Sequence, residues 1–177
     1  MHIEVYEDKL DQLLAQLANH ALDLVISDVP MTAATRVKAF NHPLGSSGVT
    51  FFAEPSLAKP LRRKFPESLD GVPFLAPMPS SHLRRELERF FEKHGVKPEL
   101  VGQFDDSALV KVFGSSGAGV FAGPSAIERE IKDGYGVSVI GRTDEIQERF
   151  YAISVERRLK HPGVVAISAT AREELFA

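Results

Sequence analysis

Two twelve-residue segments of this chain, 45–56 and 114–125, align with each other without a gap. Each begins with Gly-Ser-Ser-Gly, continues through a short apolar run and reaches Pro-Ser, a pair that commonly starts a helix. Chance convergence on a common strand-to-helix solution is enough to explain the identities. The shared pattern nevertheless predicts two α/β units, 1–76 with 150–177 and 77–149. The chain would cross between them near Ala76 and return near Arg149.

Short apolar runs alternate with amphipathic helical patterns along the chain, which is typical of an α/β fold. Strands are predicted at 3–5, 22–26, 36–40, 49–53, 72–76, 98–104, 117–124, 137–140 and 150–155. The chain begins with a strand, a helix and a second strand, and this order favours a parallel crossover connection between the two strands. Ser80 or Ser81 and Asp105 or Asp106 are candidate N-caps of the helices that follow their strands.

The composition is that of an ordinary globular domain, with 44% hydrophobic and 25% charged residues and a net charge of -3. This charge gives no overall electrostatic footprint for nucleic acid. The chain has no cysteine, which excludes disulfides, thiolate zinc sites and a cysteine nucleophile. Because it shows neither a signal peptide nor an apolar run long enough for a bilayer, we expect a cytoplasmic protein without membrane contact.

Enzyme motifs are not evident in the sequence. The segment 117–123 resembles a dinucleotide-binding loop superficially, but it precedes a strand instead of joining a strand to a helix. A phosphate-binding loop with its lysine, a Gly-x-Ser-x-Gly elbow and a His-Glu-x-x-His pair do not occur. We therefore expect a protein that is not an enzyme.

Polar residues recur where predicted strands end, and in open α/β sheets ligands bind outside the carboxyl ends of strands. The candidate effector-binding residues are Ser27, Asp28, Pro79, Ser80, Ser81, His82, Asp105, Asp106, Gly123 and Pro124. We expect them around a cleft between the two units. The serines and the helix N–H groups that follow them suit an anion, whereas Asp28, Asp105 and Asp106 suit a cation such as Na+. Capping alone explains each residue equally well.

The chain resembles the effector-binding domain of LysR-type transcriptional regulators along its whole length. The marks are residues 22–28, 79–84 and 117–124, together with the order of elements between them. The resemblance implies two Rossmann-like subdomains joined by two crossover strands, the type 2 periplasmic-binding-protein-like fold. It further implies a domain that binds a small effector, has no prosthetic cofactor, and forms a homodimer or tetramer.

A closer resemblance, carried by residues 24–30 and by the turn at 45–48, is to a sodium-responsive activator of a Na+/H+ antiporter gene. It implies Na+ or Li+ as the signal. A free solute-binding protein of the same fold is the alternative, although the missing export signal argues against it. A bilobal enzyme would need a catalytic acid or a covalent cofactor residue, which the sequence does not offer.

Two departures from the family pattern shape the expectations for this chain. The helix-turn-helix domain that precedes the effector domain in the family is missing, so promoter DNA would be bound only through that domain. The first strand and helix of the first subdomain are missing too. In the family that strand lies between the strands predicted here at 3–5 and 22–26. We therefore expect unpaired backbone groups there and a poorly stable chain, or one that shifts or swaps a strand.

Overall fold

The computed structural model describes residues 2–32 and 37–176, which form a mixed α/β fold. The helices are α1 (Leu10–Ala18), α2 (Pro55–Leu61), α3 (His82–His94), α4 (Ser107–Ser115), α5 (Glu128–Tyr135) and α6 (Pro162–Thr170). The strands are β1 (Val25–Ser27), β2 (Phe40–Ala53), β3 (Pro73–Pro77), β4 (Glu99–Phe104), β5 (Phe121–Pro124) and β6 (Ser138–Ser154). The predicted α/β class is confirmed. Among the described residues, no helix combines the length and apolar character needed to cross a membrane.

The chain divides into two compact units. Unit 1 contains Met1–Ser46 and Arg149–Ala177, and unit 2 contains Ser47–Glu148. The chain thus leaves unit 1 at Ser46, whereas the sequence placed this crossing near Ala76. The assignment of 1–76 with 150–177 and of 77–149 to two regulatory subdomains stays a prediction.

Both long strands, β2 and β6, contain a point where the chain passes between the units. The sequence predicted each of them as two short strands with a loop between, and this is wrong: β2 is continuous over 14 residues and β6 over 17. The turn-forming residues Gly45–Gly48 lie inside β2. Strand β2 is hydrogen-bonded to β6 on one side and to β5 on the other, in a sheet of order β1-β6-β2-β5. Pairing with neighbouring strands overrides local turn propensity here.

The start of the chain also differs from the sequence prediction. Residues 2–9 have no strand, and the side chains of Ile3 and Val5 are 55% and 86% exposed. The predicted strand at 3–5 and the parallel crossover that depended on it are therefore wrong. For the strand predicted at 36–40, Arg36 lies outside the described residues and Val37–Ala39 are not in a strand.

Unit 1 packs α1 against β1 and the end of β6. Strand β1 pairs antiparallel with β6, with Val25 opposite Ile153. Leu14 and Leu17, one turn apart on α1, are buried against this pair. The helix and the two strands therefore share one small apolar core.

Unit 2 has a larger core, centred on the buried ring of Phe51. This ring contacts the rings of Phe65, Phe74, Phe90 and Phe91, with centroid distances from 5.2 to 6.5 Å. These residues come from β2, β3, α3 and the loop after α2. Burying several aromatic rings together is a large hydrophobic contribution, so this cluster holds β2, β3 and α3 together.

The two repeated segments meet in unit 2. Strand β2 pairs antiparallel with β5, and Phe52 lies opposite Phe121. These two phenylalanines occupy equivalent positions in the repeat, are fully buried, and stack with ring centroids 5.4 Å apart. The repeat therefore brings two similar segments into contact across a local two-fold relation centred on this pair.

Candidate functional site

Three strands of unit 2 run in the same direction and end at the same edge. Strands β3 and β4 pair in parallel from Pro73 to Pro77, and the amide of Met78 donates to the carbonyl of Phe104 at 3.0 Å. Val120, just before β5, forms a parallel bridge to Phe74 on the other side of β3. The carboxyl ends of the three strands are thus neighbours, and this is the usual position of a ligand site in an α/β sheet.

Three of the predicted groups follow these strand ends. They are Pro79–Ser80–Ser81–His82 after β3, Asp105–Asp106 after β4, and Gly123–Pro124 at the end of β5. The structure therefore brings these three groups to one edge of unit 2. What they bind stays a prediction.

Two arginines at the start of α3 donate hydrogen bonds to the turn after β3. Arg84 donates from Nη1 to the carbonyl of Pro77 at 3.2 Å, and Arg85 donates from Nη1 to the carbonyl of Ser80 at 3.1 Å. Ser81 occupies the N-cap position of α3, but its side chain makes no capping hydrogen bond within residues 2–32 and 37–176. The predicted serine cap is therefore wrong. Arg84 also pairs through Nε with Oε1 of Glu88 at 2.6 Å, so it is the uncapped helix start and the guanidinium of Arg85 that favour negative rather than positive charge here.

The group after β4 combines a cap and an exposed acid. Asp106 caps α4, because its Oδ1 accepts hydrogen bonds from the amides of Ala108 at 2.6 Å and Leu109 at 3.3 Å. The side chain of Asp105 is exposed. Of the two aspartates, Asp105 therefore has its carboxylate more fully available to a cation.

At the end of β5, Gly123 fills a structural need. A Cβ at this position would lie 3.1 Å from Cδ1 of Ile131, so a larger residue would press on the buried side of α5. Pro124 pairs with Val49 of β2. These contacts account for both residues through packing alone.

Ser27 and Asp28 lie in unit 1, at the end of β1. Ser27 Oγ accepts a hydrogen bond from the amide of Val29 at 3.1 Å, which closes a tight turn. Asp28 is exposed. Ser27 thus has a local structural role, while the carboxylate of Asp28 faces solvent.

The assignment of Asp28, Asp105 and Asp106 as Na+ ligands stays a prediction. Over the part of the chain that the structure describes, no group of three or more His, Cys, Asp or Glu side chains is placed to hold a metal ion. A monovalent cation needs oxygen ligands of any kind, so backbone carbonyls and hydroxyls would have to supply most of them.

A polar network beside β5 escaped the sequence analysis. Thr50 is fully buried, and its hydroxyl donates to Oε2 of Glu128 at 3.1 Å. The hydroxyl of Ser125, 2.8 Å away, then donates to Thr50. Arg142 completes the network by donating from Nε and Nη2 to the two oxygens of Glu128 at 2.5 and 2.7 Å.

This network connects four elements of unit 2, because its members lie on β2, on β6, at the start of α5 and in the turn before it. The hydrogen bonds from Arg142 lower the pKa of Glu128, with a smaller contribution from Thr50, and burial opposes the shift. The same contacts raise the pKa of Arg142. The only sign of this network in the sequence was the polar Thr50 inside an apolar run, so the sequence pattern alone could not reveal the partners of Thr50.

Comparison with known proteins decides the family. The family model described as "LysR substrate binding domain" matches residues 1–176. This chain belongs to the LysR substrate-binding domain family. It is 34% identical over all 177 residues to the transcriptional activator protein NhaR of Escherichia coli K12, and equally to NhaR of Shigella flexneri. The chain spans 58% of the length of each of these relatives.

Solved structures of LysR-type proteins share the fold of this LysR-type domain. The regulatory domain of HypT from Salmonella typhimurium has a TM-score of 0.67 and 22% identity, and the match covers 92% of this chain and 80% of that regulatory domain. HinK from Pseudomonas aeruginosa has a TM-score of 0.70 and 14% identity, covering 97% and 59%. Vibrio fischeri DarR, solved in complex with DNA, has a TM-score of 0.69 and 17% identity, covering 96% and 57%. The periplasmic-binding-protein-like fold implied by the family resemblance is confirmed.

Proposed function

We propose that this chain is the ligand-sensing domain of a transcriptional activator that responds to Na+ or Li+ and controls a Na+/H+ antiporter gene. The observation that carries the proposal is the 34% identity to NhaR over all 177 residues. The segments 24–30 and 45–48, which carried the sodium-responsive resemblance, lie within that match. The domain would sense its signal without catalysis and without a bound cofactor.

The proposal places DNA binding outside this chain. The net charge of this chain is -3. In the proposal, a preceding helix-turn-helix domain would contact the promoter. The domain would supply the effector response and hold the regulator together as a homodimer or tetramer.

Oligomerisation has support on the surface of unit 2. Leu109, Val112 and Phe113 on α4 are 50%, 50% and 48% exposed, and Leu100 and Val101 on the neighbouring strand β4 are 45% and 48% exposed. Large apolar side chains grouped on adjacent elements are typical of a protein–protein contact.

The sodium response is tested by isothermal titration of the full-length protein with NaCl and, in parallel, with KCl. We expect heat of binding with NaCl that exceeds the heat with KCl, and equal heats would remove Na+ as the signal. Asp28, Asp105 and Asp106 are then changed singly to asparagine. Asparagine still caps a helix, so Asp106→Asn removes the charge of Asp106 without removing its capping bond.

The exposed Asp23 offers a matched control for these substitutions. Asp23→Asn should leave the sodium response unchanged. An aspartate whose asparagine variant keeps the full response is cleared of a ligand role. If all three variants respond like the unsubstituted protein, the predicted carboxylate site is wrong even where the sodium response itself is real.

A further inference from the structure

The direction of the hydrogen bonds around Thr50 follows from the charge of Glu128. The pKa of Glu128 is lowered, so its carboxylate is ionised at neutral pH and can only accept hydrogen bonds. Thr50 Oγ1 lies 3.1 Å from Oε2 of Glu128 and therefore donates its single proton there. With that proton committed, Thr50 can only accept from Ser125 Oγ, 2.8 Å away. The protons thus point from Ser125 to Thr50 and from Thr50 to Glu128.

This order makes the hydroxyl of Ser125 an acceptor toward any further partner. A serine hydroxyl has one proton and two lone pairs, and the proton is used on Thr50. Over the part of the chain that the structure describes, Ser125 Oγ makes no other hydrogen bond. A chain of hydrogen bonds that ends on an ionised carboxylate polarises each member, so the oxygen of Ser125 becomes more negative.

Ser125 lies at the edge of unit 2 where the three parallel strand ends meet. It directly follows Pro124, the last residue of β5, and it is partly exposed, whereas Thr50 is fully buried. The exposed Asp105 follows β4 at the same edge, on the other side of β3. The edge therefore offers a carboxylate and an acceptor hydroxyl, and oxygen atoms of this kind are the ligands of hard cations.

Arg142 is the one positive charge in the network, and two features limit its effect on a cation at Ser125. Its Nε and Nη2 donate to the two oxygens of Glu128, so the positive charge is paired with a negative one. Its side chain is 62% exposed, which lets solvent screen the remaining field. The network as a whole therefore has no net charge.

We propose that Ser125 Oγ is a ligand of the monovalent cation that this domain senses, with Asp105 supplying negative charge from the end of β4. The inference rests on the proposed sodium response and deepens it by naming a neutral ligand oxygen. Thr50 is a positioning residue, because it is fully buried and holds the proton of Ser125 away from the ion. An anion would need a donated proton at Ser125, so the same arrangement disfavours anions.

Isothermal titration of the full-length protein with NaCl, and in parallel with KCl, tests the role of Ser125. Ser125→Ala should weaken Na+ binding about threefold to tenfold, the loss expected for one ligand oxygen of hydrogen-bond strength. Its thermal midpoint in KCl should stay close to that of the unsubstituted protein, which shows that the variant is folded.

Ser116 provides a matched control. Its hydroxyl proton is also committed, to the carbonyl of Phe113 at 2.7 Å, but it lies at the C-terminal end of α4, away from the strand ends. Ser116→Ala should leave Na+ affinity unchanged. Equal Na+ affinities of Ser125→Ala and Ser116→Ala would overturn the proposal.

Two substitutions of Thr50 test the positioning role. Thr50→Val keeps the shape of the side chain but removes the acceptor of the Ser125 proton, so Na+ binding should weaken although Thr50 does not touch the ion. Thr50→Ser keeps the hydroxyl and should restore the affinity. Full Na+ affinity in Thr50→Val, or an equal loss in Thr50→Val and Thr50→Ser, would contradict the role of this hydrogen bond.

The titrations also separate this inference from the proposed function. A Na+ response that is equally strong in the unsubstituted protein and in Ser125→Ala would remove Ser125 as a ligand and leave the sodium response standing. Equal heats with NaCl and KCl in the unsubstituted protein would overturn the sodium response and the role of Ser125 together.

Discussion

Glu128 is the residue whose environment most clearly alters its chemistry. Hydrogen bonds from Arg142 and Thr50 lower its pKa below the ordinary value of 4.5, and its side chain is 17% exposed. An acid with a lowered pKa in the folded state stabilises the fold at pH values above its ordinary pKa. That stabilisation is lost as the pH falls through the lowered value.

We therefore predict that Glu128→Gln destabilises the chain by about 1 kcal/mol at pH 7 and by less at pH 3. The measurement is the free energy of unfolding in urea at both pH values. Glu130→Gln is the control, because Glu130 lies in the same first turn of α5 and is exposed. A difference between Glu128→Gln and the unsubstituted chain that does not change with pH would contradict this account.

For single residues, the sequence predicted some structural roles and missed others. Asp106 was predicted as a cap and does cap α4, because a cap depends on residues two and three positions away. Thr50 was missed, because its partners Ser125 and Glu128 lie 75 and 78 positions along the chain. The roles of Ser80 and Asp105 in ligand binding stay predictions.

Two glycines that lie in helices differ in the atoms that an added methyl group would contact. A Cβ on Gly114, in α4, would lie 2.2 Å from Cδ1 of Phe121, whose buried ring stacks on Phe52. A Cβ on Gly134, in α5, would meet no atom within 4 Å. The close approach of α4 to β5 therefore depends on the absence of a side chain at position 114.

Gly114→Ala should destabilise the chain by about 1–3 kcal/mol, since overpacking forces the helix and strand apart. Gly134→Ala should instead be neutral or stabilise by up to about 1 kcal/mol, because alanine restricts the unfolded chain and favours helix. Urea unfolding of both variants measures the difference. Equal effects of the two substitutions would show that the Phe121 contact is not what requires glycine.

Elements that depend on local patterns were predicted well, and those that depend on distant pairing were not. Helix α1 follows directly from the spacing of Leu10, Leu13, Leu14 and Leu17. Strand β2 contains Pro43 and the turn-forming residues 45–48, so its local sequence predicts a loop. Its continuity comes from β6 and β5, which flank it in the sheet, and no sequence window contains that information.

For the molecule as a whole, we predict that the exposed apolar side chains of α4 and β4 form the contact of the proposed homodimer. Val112→Glu places a charge among them, and we predict that it shifts the protein toward monomer. Light scattering during size-exclusion chromatography measures the molar mass. Leu175→Glu, at a residue 39% exposed and outside α4 and β4, is the control. A dimer that survives Val112→Glu would assign the contact to another surface.

The fold class and the family could be predicted from the sequence, because alternating apolar runs and family motifs are distributed over the whole chain. The division into units was harder to predict, because the segment 47–76 is joined to unit 2 by ring contacts of Phe51 and Phe65 with Phe90. Those contacts depend on three-dimensional packing and leave no periodic signal in the sequence.

The pairing of Phe52 with Phe121 also has a consequence for the order of folding. The two rings are separated by almost seventy residues of chain, so their contact closes a long loop and carries its entropic cost. Contacts of this separation slow folding, whereas β3, α3 and β4 associate through shorter loops. We expect the pairing of the two repeated segments to be a late step in folding, after which unit 2 has its native structure.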